Sequence, residues 1–210
     1  MLIIAHRGLW TSCEEGNTIK SFQAAFKQGY GIETDIRDYS GKLVVAHNVP
    51  DEPVLLFDEV LRLYSDMGSS LPIAINIKAD GLQKLLKKAL EKYNVSNYFV
   101  FDMSIPEQVV FCRDTFPVFT RMSEYETIPV LLERAQGIWM DEWERAWINA
   151  DIIRQYRNAG KTVAIISPEI HGRDVTPLWN SLKEFINDNK VILCTDTPQK
   201  AEGFFYEGKN

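Results

Sequence analysis

Short apolar segments rich in β-branched residues alternate along this chain with segments of helical periodicity. Eight of these apolar segments have the length and composition of buried strands. A ninth, shorter segment, Leu43–His47, follows a Ser40-Gly41 turn. The eight predicted barrel strands are Leu2–His6, Ile32–Arg37, Pro72–Lys78, Tyr98–Asp102, Val118–Arg121, Gly137–Asp141, Thr162–Ser167 and Val191–Thr195.

Apolar residues spaced three or four apart predict helices between these strands. The clearest case is Leu82–Tyr93, in which Leu82, Leu86 and Leu90 lie on one face. The other predicted helices are Asn17–Lys27, Phe57–Ser65, Pro106–Thr115, Pro129–Ala135, Ile152–Ala159 and Pro177–Asn187.

Eight strands that alternate with helices predict a (β/α)8 TIM barrel. With 210 residues, 45% of them hydrophobic, the chain is long enough for one sizeable core, so we expect a single domain over residues 1–210. A doubly wound open sheet is the alternative. It usually has fewer strands and often a glycine-rich phosphate loop, which this sequence lacks.

Charge and composition narrow the class of protein. A net charge of −6 disfavours binding to nucleic acid. The three cysteines, Cys13, Cys112 and Cys194, are too few and too widely spaced to indicate a disulfide framework, and they favour a reducing compartment. We see neither a signal peptide nor an apolar run of the about 20 residues that span a bilayer, and so expect a cytoplasmic protein without a stable membrane anchor.

The second predicted strand carries two acids on one face. In the sequence GIETDIRD, Ile32 and Ile36 alternate with Glu33 and Asp35, and side chains in a strand repeat every two residues. If the isoleucines face the helices, both carboxyl groups point into the mouth of the barrel. Two like charges in a confined site favour a bound cation, and hard oxygen ligands suit Mg²⁺ or Ca²⁺. The alternative is an exposed edge strand with solvated acids.

The third predicted strand repeats this alternation in the sequence PIAINIKA. Asn76 and Lys78 then face the same mouth as the two acids. The amide oxygen of Asn76 is a possible metal ligand, and Lys78 can neutralise a phosphate. The alternative for Lys78 is a side chain that extends out of the sheet into solvent.

Two of the three histidines, His6 and His47, end predicted strands. At the carboxyl ends of barrel strands, close to paired acids, they favour acid–base catalysis. His171 has no such context, and we interpret it as a loop residue. The tryptophans at positions 10, 139, 143 and 147 are expected to pack in the core more often than to line a pocket.

Several of these motifs occur together and in order. AHRG ends the first strand, an Asn17-Thr18 pair opens the first helix, and GIETDIRDYSGKLVVAHN holds the two acids, a turn and the second histidine. INIKA follows, and CTDTP ends the last strand. In this order and spacing the chain resembles the glycerophosphodiester phosphodiesterase family of the phospholipase-C-like phosphodiesterases, most clearly over residues 1–50.

This resemblance implies a (β/α)8 barrel that hydrolyses a small phosphodiester with a divalent cation, Mg²⁺ or Ca²⁺. It implies that His6 and His47 are the acid–base pair and that Arg7 and Lys78 contact the phosphate. It also implies a metal site at Glu33, Asp35 and the position of Asn76. The family has a glutamate at this last position, and a neutral amide should weaken cation binding unless Asp102 or Asp141 compensates.

Two alternatives to a phosphodiesterase follow from the same residues. The first is a regulatory or binding protein that holds a phosphorylated ligand at a degenerate metal site without turnover, which Asn76 suggests. The second is a sugar hydrolase in which Glu33 and Asp35 are the acid and the nucleophile. Two acids on one strand are poorly placed to flank a glycosidic bond, where about 5–9.5 Å separates the carboxyl groups.

Overall fold

Residues 1–206, described here in a computed structural model, form a barrel of eight parallel strands with one added antiparallel strand. The strands are β1 (Leu2–His6), β2 (Gly31–Tyr39), β3 (Lys42–Val45), β4 (Ile73–Ile77), β5 (Tyr98–Phe101), β6 (Phe119–Met122), β7 (Gly137–Met140), β8 (Thr162–Ile166) and β9 (Val191–Thr195). The predicted (β/α)8 barrel is therefore confirmed, and β3 pairs with β2 outside it.

The barrel strands follow the order β5-β4-β2-β1-β9-β8-β7-β6. Each neighbouring pair in this order is parallel and shares three or more register positions. The wall closes between β5 and β6, where one isolated bridge joins Val100 to Val118 within the described residues. This junction, which we call the seam, has far fewer backbone contacts than the rest of the wall.

Helices cover the outside of the barrel. Within residues 1–206 they are α1 (Ile19–Lys27), α2 (Phe57–Asp66), α3 (Gln83–Lys92), α4 (Ile105–Arg113), α5 (Ala150–Asn158), α6 (Thr176–Leu182) and α7 (Pro198–Tyr206). None of the helices among these residues is long and apolar enough to cross a membrane.

The predicted helix Pro129–Ala135 is wrong, and α7 was not predicted. Leu131 has a φ of 55°, a left-handed conformation that a helix does not accommodate. The carbonyl oxygen of Val130 accepts hydrogen bonds from the side chains of Gln108 and Thr120, and no helical bond to it forms. A single turn remains, so β6 reaches β7 without a helix.

Side chains that alternate in direction along the strands form two apolar layers, one outside the barrel wall and one inside it. Ile32, Ile36 and Ile75 face the helices, where they pack into one large cluster with the apolar faces of α1, α2 and α3. A smaller cluster that includes Ala74 and Phe101 fills the barrel interior. The inward positions at the carboxyl ends of the strands are left for polar residues, and there the candidate site lies.

Candidate active site

A cavity of about 440 Å³ opens at the carboxyl ends of the barrel strands. This is the end at which barrel enzymes carry their catalytic groups. Its lining includes every residue for which the sequence analysis predicts a site role, namely His6, Arg7, Glu33, Asp35, His47, Asn76 and Lys78.

Strand register brings these residues together. His6 of β1 pairs with Glu33 of β2, and Asp35 of β2 pairs with Asn76 of β4. Glu33, Asp35 and Asn76 are 2%, 1% and 8% exposed, so the alternative of solvated acids on an exposed strand is wrong. The acids instead form a buried pair.

Asp35 is surrounded by hydrogen-bond donors and positive charge. The Nε of Arg7 lies 3.4 Å from its Oδ2, and the Nζ of Lys78 lies 3.5 Å from its Oδ1. The side-chain amide of Asn17 donates to Oδ2 at 3.0 Å. Burial alone would raise the pKa of Asp35, but Lys78 and Arg7 outweigh it, with His47 and Asn17 contributing, and the pKa is lowered.

Hydrogen-bond donors stabilise the carboxylate of Glu33 much less than that of Asp35. Its Oε2 accepts one long hydrogen bond of 3.4 Å from the backbone N–H of Arg7. Burial and then the charge of Asp35 raise the pKa of Glu33 to about 7. The two acids are therefore unequal, since cationic side chains stabilise the charge on Asp35 far more than that on Glu33.

His6 lies between two acids. Its Nδ1 is 2.6 Å from Oδ1 of Asp196, and its Nε2 is 3.9 Å from Oε2 of Glu33. Burial alone would lower the pKa of His6, but the hydrogen bond to Asp196 and the charge of Glu33 outweigh it and raise the pKa. With Nδ1–H held by Asp196, the ring presents Nε2 toward Glu33.

His47 lies beside the other acid. Its Nδ1 is 3.0 Å from Nη2 of Arg7 and 3.2 Å from Oδ1 of Asp35. A neutral ring can accept from Arg7 at Nδ1, and a protonated ring can donate from Nδ1 to Asp35. Each protonation state of His47 therefore has a partner in the site.

Three non-glycine residues at the site have left-handed backbones. Arg7, Asn17 and Asp102 have φ angles of 57°, 57° and 69°. Such conformations cost about 1–3 kcal/mol each and occur preferentially at functional sites. Arg7 and Asp102 line the cavity immediately after a strand, and Asn17 reaches Asp35 from just before a helix.

The turn after β1 is held by the start of α1. The hydroxyl of Ser21 donates to the carbonyl oxygen of Arg7, and Thr18 caps the helix by accepting from the backbone N–H of Ser21. Gly8 has a φ of 84°, and a Cβ there would lie 2.6 Å from Oγ of Ser21. The sequence Arg7-Gly8 therefore allows the helix to approach the strand end closely.

The donor set fits a hard divalent cation. Among residues 1–206, no group of three or more histidine, cysteine, aspartate or glutamate side chains is arranged to hold a metal ion. The amide oxygen of Asn76, however, is buried and has no hydrogen-bond partner. An orphaned oxygen beside two buried carboxyl groups is the environment that Mg²⁺ or Ca²⁺ would satisfy.

Asp102 and Asp141, considered as compensating ligands, are engaged elsewhere. Asp102 accepts from Lys78 at 3.0 Å and also pairs with Arg121. Asp141 accepts from His171 at 2.7 Å and from the indole N–H of Trp143 at 2.6 Å. Neither of these contacts involves the buried pair of acids.

Three residues at the site are missed or misplaced by the sequence analysis. The sequence marks Asp196 as a strand end but not as the partner of His6. It marks Asn17 only as a helix start, although this residue bridges Asp35 and the hydroxyl of Thr34. His171, interpreted as a loop residue outside the site, lines the cavity. Its sequence context gave no signal, because its partner Asp141 is 30 positions away.

The tryptophans divide between cavity and core. Trp10, Trp139 and Trp143 line the cavity, although Trp139 is 5% exposed and its ring stacks on Phe101. Trp147 packs against the core, as expected. The expectation that core packing outweighs pocket lining is therefore correct for Trp147 and wrong for Trp10 and Trp143.

Solved phosphodiesterases superpose on nearly the whole chain. A phosphodiesterase of Oleispira antarctica in complex with the product sn-glycerol-3-phosphate matches with a TM-score of 0.70 and 16% sequence identity, over 97% of this chain and 96% of that one. A glycerophosphodiester phosphodiesterase of Agrobacterium tumefaciens matches with a TM-score of 0.67 and 18% identity, over 97% and 98%. The fold is that of the glycerophosphodiester phosphodiesterases.

A more distant structure shares the same architecture. A Ca²⁺-dependent phosphatidylinositol-specific phospholipase C from Streptomyces antibioticus matches with a TM-score of 0.54 and 10% identity, over 97% of this chain and 95% of that one. Neither a protein-family model nor a curated protein matches the sequence. At such low identities the likeness to the glycerophosphodiester phosphodiesterases and to the phospholipase C concerns the fold.

Proposed function

We propose that this protein is a metal-dependent phosphodiesterase that hydrolyses a small glycerophosphodiester-like substrate to an alcohol and a phosphomonoester. One observation carries the proposal. The imidazoles of His6 and His47 each lie beside one acid of the buried pair, at 3.9 Å from Glu33 and 3.2 Å from Asp35. The shared fold with glycerophosphodiester phosphodiesterases supports it.

Arg7 and Lys78 are the proposed phosphate ligands. Both side chains lie at the cavity, and both approach the carboxyl group of Asp35. A diester phosphate carries one negative charge, and cationic donors placed around it stabilise the additional charge that develops in the transition state. The bond from Lys78 to Asp102 at 3.0 Å restricts where its ammonium can lie.

His6 and His47 are the proposed acid–base pair. One removes a proton from the nucleophile, which is water or a hydroxyl group of the substrate, and the other protonates the leaving alkoxide. Groups in these roles each contribute about 10²–10⁴-fold to the rate. Asp196 fixes the tautomer of His6, because it holds Nδ1 of that ring. Nδ1 of His47 lies within reach of both Arg7 and Asp35.

A divalent cation, Mg²⁺ or Ca²⁺, would be held by Glu33, Asp35 and the amide oxygen of Asn76. When bound it supplies positive charge to a phosphate oxygen. With two charged ligands and one neutral one, we expect weak affinity for the cation.

A cytoplasmic location and a single catalytic domain stay predictions.

The test is hydrolysis of glycerophosphodiesters by the wild type and by His6→Ala and His47→Ala, with and without a chelator. We expect each substitution to lower kcat by about 10²–10⁴-fold while the thermal unfolding temperature stays near that of the wild type. Val49→Ala, at a side chain 77% exposed, is the control. Activity of either histidine variant close to the wild-type value would refute the proposal.

The second candidate function is binding without turnover, which Asn76 favours because it removes a charged ligand. A protein of this kind would bind glycerol 3-phosphate or a diester through Arg7 and Lys78 and release no product at any concentration of Mg²⁺ or Ca²⁺. Calorimetric binding of these ligands without release of alcohol would favour this function over the first.

A further inference from the structure

The side of the cavity away from the buried acids has a different chemistry. In the strand order, β7 lies four positions from β2 in either direction, so the two strands face each other across the barrel. Trp143 and Asp141 follow β7, and His171 follows β8. We call these three residues the far wall. All three line the same cavity as the proposed phosphate ligands.

Trp143 is held by two hydrogen bonds although it is exposed. Its indole N–H donates to Asp141 at 2.6 Å, and its backbone N–H donates to Glu124 at 3.2 Å. Its ring lies 5.8 Å from that of Tyr125, and the side chain is still 40% exposed. The wall therefore offers a hydrogen-bonded aromatic ring to a ligand that enters the cavity.

Asp141 and His171 place hydrogen-bonding groups beside this plane. Oδ1 of Asp141 accepts from Nε2 of His171 at 2.7 Å, and Oδ2 accepts from Trp143. Each carboxylate oxygen has two lone pairs, so both keep one acceptor position for a ligand. The side chain of Asp141 is 14% exposed and that of His171 is 27% exposed, so a ligand in the cavity can reach both.

A polyhydroxylated ring matches this wall. One face of a sugar or cyclitol ring is apolar and can stack on Trp143, while two adjacent hydroxyls can donate to the two oxygens of Asp141. A cavity of about 440 Å³ is in the range that holds a ligand larger than a phosphate.

A quaternary ammonium group matches the wall less well. Its recognition uses several aromatic faces around one cation. Trp139 offers little surface, because it is only 5% exposed and one face of its ring stacks on Phe101 at 3.7 Å between centroids. An acyl chain would cover the remaining acceptor positions of Asp141 without offering them a hydrogen-bond donor, which is unfavourable.

We propose that the far wall is a subsite for a sugar or cyclitol group esterified to the phosphate. This inference rests on the proposed phosphodiesterase function and names its substrate class. Trp143 and Asp141 are then specificity-determining residues, and they act on the group that lies beyond the phosphate.

The experiment compares kcat/KM for glycerophosphoinositol and glycerophosphocholine in the wild type, Trp143→Ala and Asp141→Asn. We expect the wild type to prefer the inositol diester by about tenfold or more, and both variants to lose most of this preference through a higher KM. Trp143→Phe keeps an aromatic plane and should retain part of it. Ile128→Ala, 80% exposed and outside the cavity lining, should leave the preference unchanged.

Two results separate the failure of the subsite from the failure of the function. Equal kcat/KM for the two diesters, or an unchanged preference in Trp143→Ala and Asp141→Asn, overturns the subsite while hydrolysis itself stands. If no diester is cleaved, calorimetric binding of inositol phosphate and phosphocholine tests the subsite without turnover. Tighter binding of inositol phosphate that Trp143→Ala weakens supports the subsite, and equal binding overturns it.

Discussion

The Nδ1 of His6 lies 2.6 Å from Oδ1 of Asp196, which follows the last strand of the barrel, 190 positions away along the chain. The backbone N–H of Asp196 donates to Glu169 at 3.1 Å, so the residue is itself held in place. An imidazole held in this way has a fixed tautomer and a fixed direction. Asp196 is therefore a positioning residue for His6 in the proposed reaction.

Asp196→Asn should lower kcat by about 10²-fold and leave KM for a diester nearly unchanged, because it disturbs the orientation and tautomer of His6 but no proposed phosphate contact. Steady-state kinetics check this result. The control is Asp51→Asn at an exposed acid away from the cavity, which should have wild-type kinetics. A change confined to KM would contradict the assigned role.

Asp102 holds Lys78 at 3.0 Å and also pairs with Arg121. Asp102→Asn removes the charge but keeps a residue type that tolerates the observed φ of 69°. We expect KM for a diester to rise about tenfold, because Lys78 is no longer held, and the free energy of unfolding to fall by about 1 kcal/mol. Kinetics and urea denaturation measure the two effects, and an unchanged KM would show that Lys78 is positioned by other contacts.

Gly8→Ala should be strongly destabilising. The new Cβ would lie 2.6 Å from Oγ and 2.7 Å from the carbonyl carbon of Ser21, at a φ of 84°. Gly29 has nearly the same φ, 83°, but a Cβ added there would have no other atom within 4 Å. We expect urea denaturation to show a loss of about 3 kcal/mol for Gly8→Ala and about 1 kcal/mol for Gly29→Ala. Equal losses would mean that the close approach of α1 contributes nothing.

Stability should depend on pH through Asp188. Burial alone would raise the pKa of Asp188, but hydrogen bonds from Arg157, at 2.7 Å, and from the backbone N–H of Lys190 outweigh it and lower the pKa. A lowered pKa in the folded state stabilises the protein above the pKa of the unfolded chain, and this contribution disappears as the pH falls through the folded value.

Asp188→Asn should therefore cost about 0.5–1 kcal/mol near pH 7, since the side chain of Asp188 is 30% exposed. The difference from the wild type should shrink toward zero as the pH is lowered below about 4, where the unfolded carboxyl protonates. Urea denaturation at several pH values measures this trend. A difference that does not vary with pH would exclude the charge as its cause.

The sequence predicted the elements whose signals are local. The bounds of β1 and β9 are those expected, because Leu2–His6 and Val191–Thr195 are apolar runs with abrupt polar ends. The inward direction of Glu33 and Asp35 followed from a period of two along one strand.

What the sequence did not predict depends on contacts between distant segments or on one backbone angle. The partnership of His6 with Asp196 and that of Asp141 with His171 need the barrel to close before the side chains meet. The single turn around Leu131 depends on a left-handed φ that a leucine does not signal. For α7, Pro198 is a recognisable first-turn residue that could have indicated the helix.

The sparse backbone pairing at the seam has a consequence for how the wall moves. Elsewhere neighbouring strands are joined by three or more register pairs. Between β5 and β6 the described residues show one backbone bridge, Val100–Val118, with side-chain contacts from the ion pair of Asp102 with Arg121 and the stacked rings of Phe99 and Phe119. Local opening is easiest where few hydrogen bonds must break. Deuterium should therefore enter the amides of β5 and β6 before those of β1 and β9, and such breathing would transiently release Lys78 while leaving both imidazoles in place.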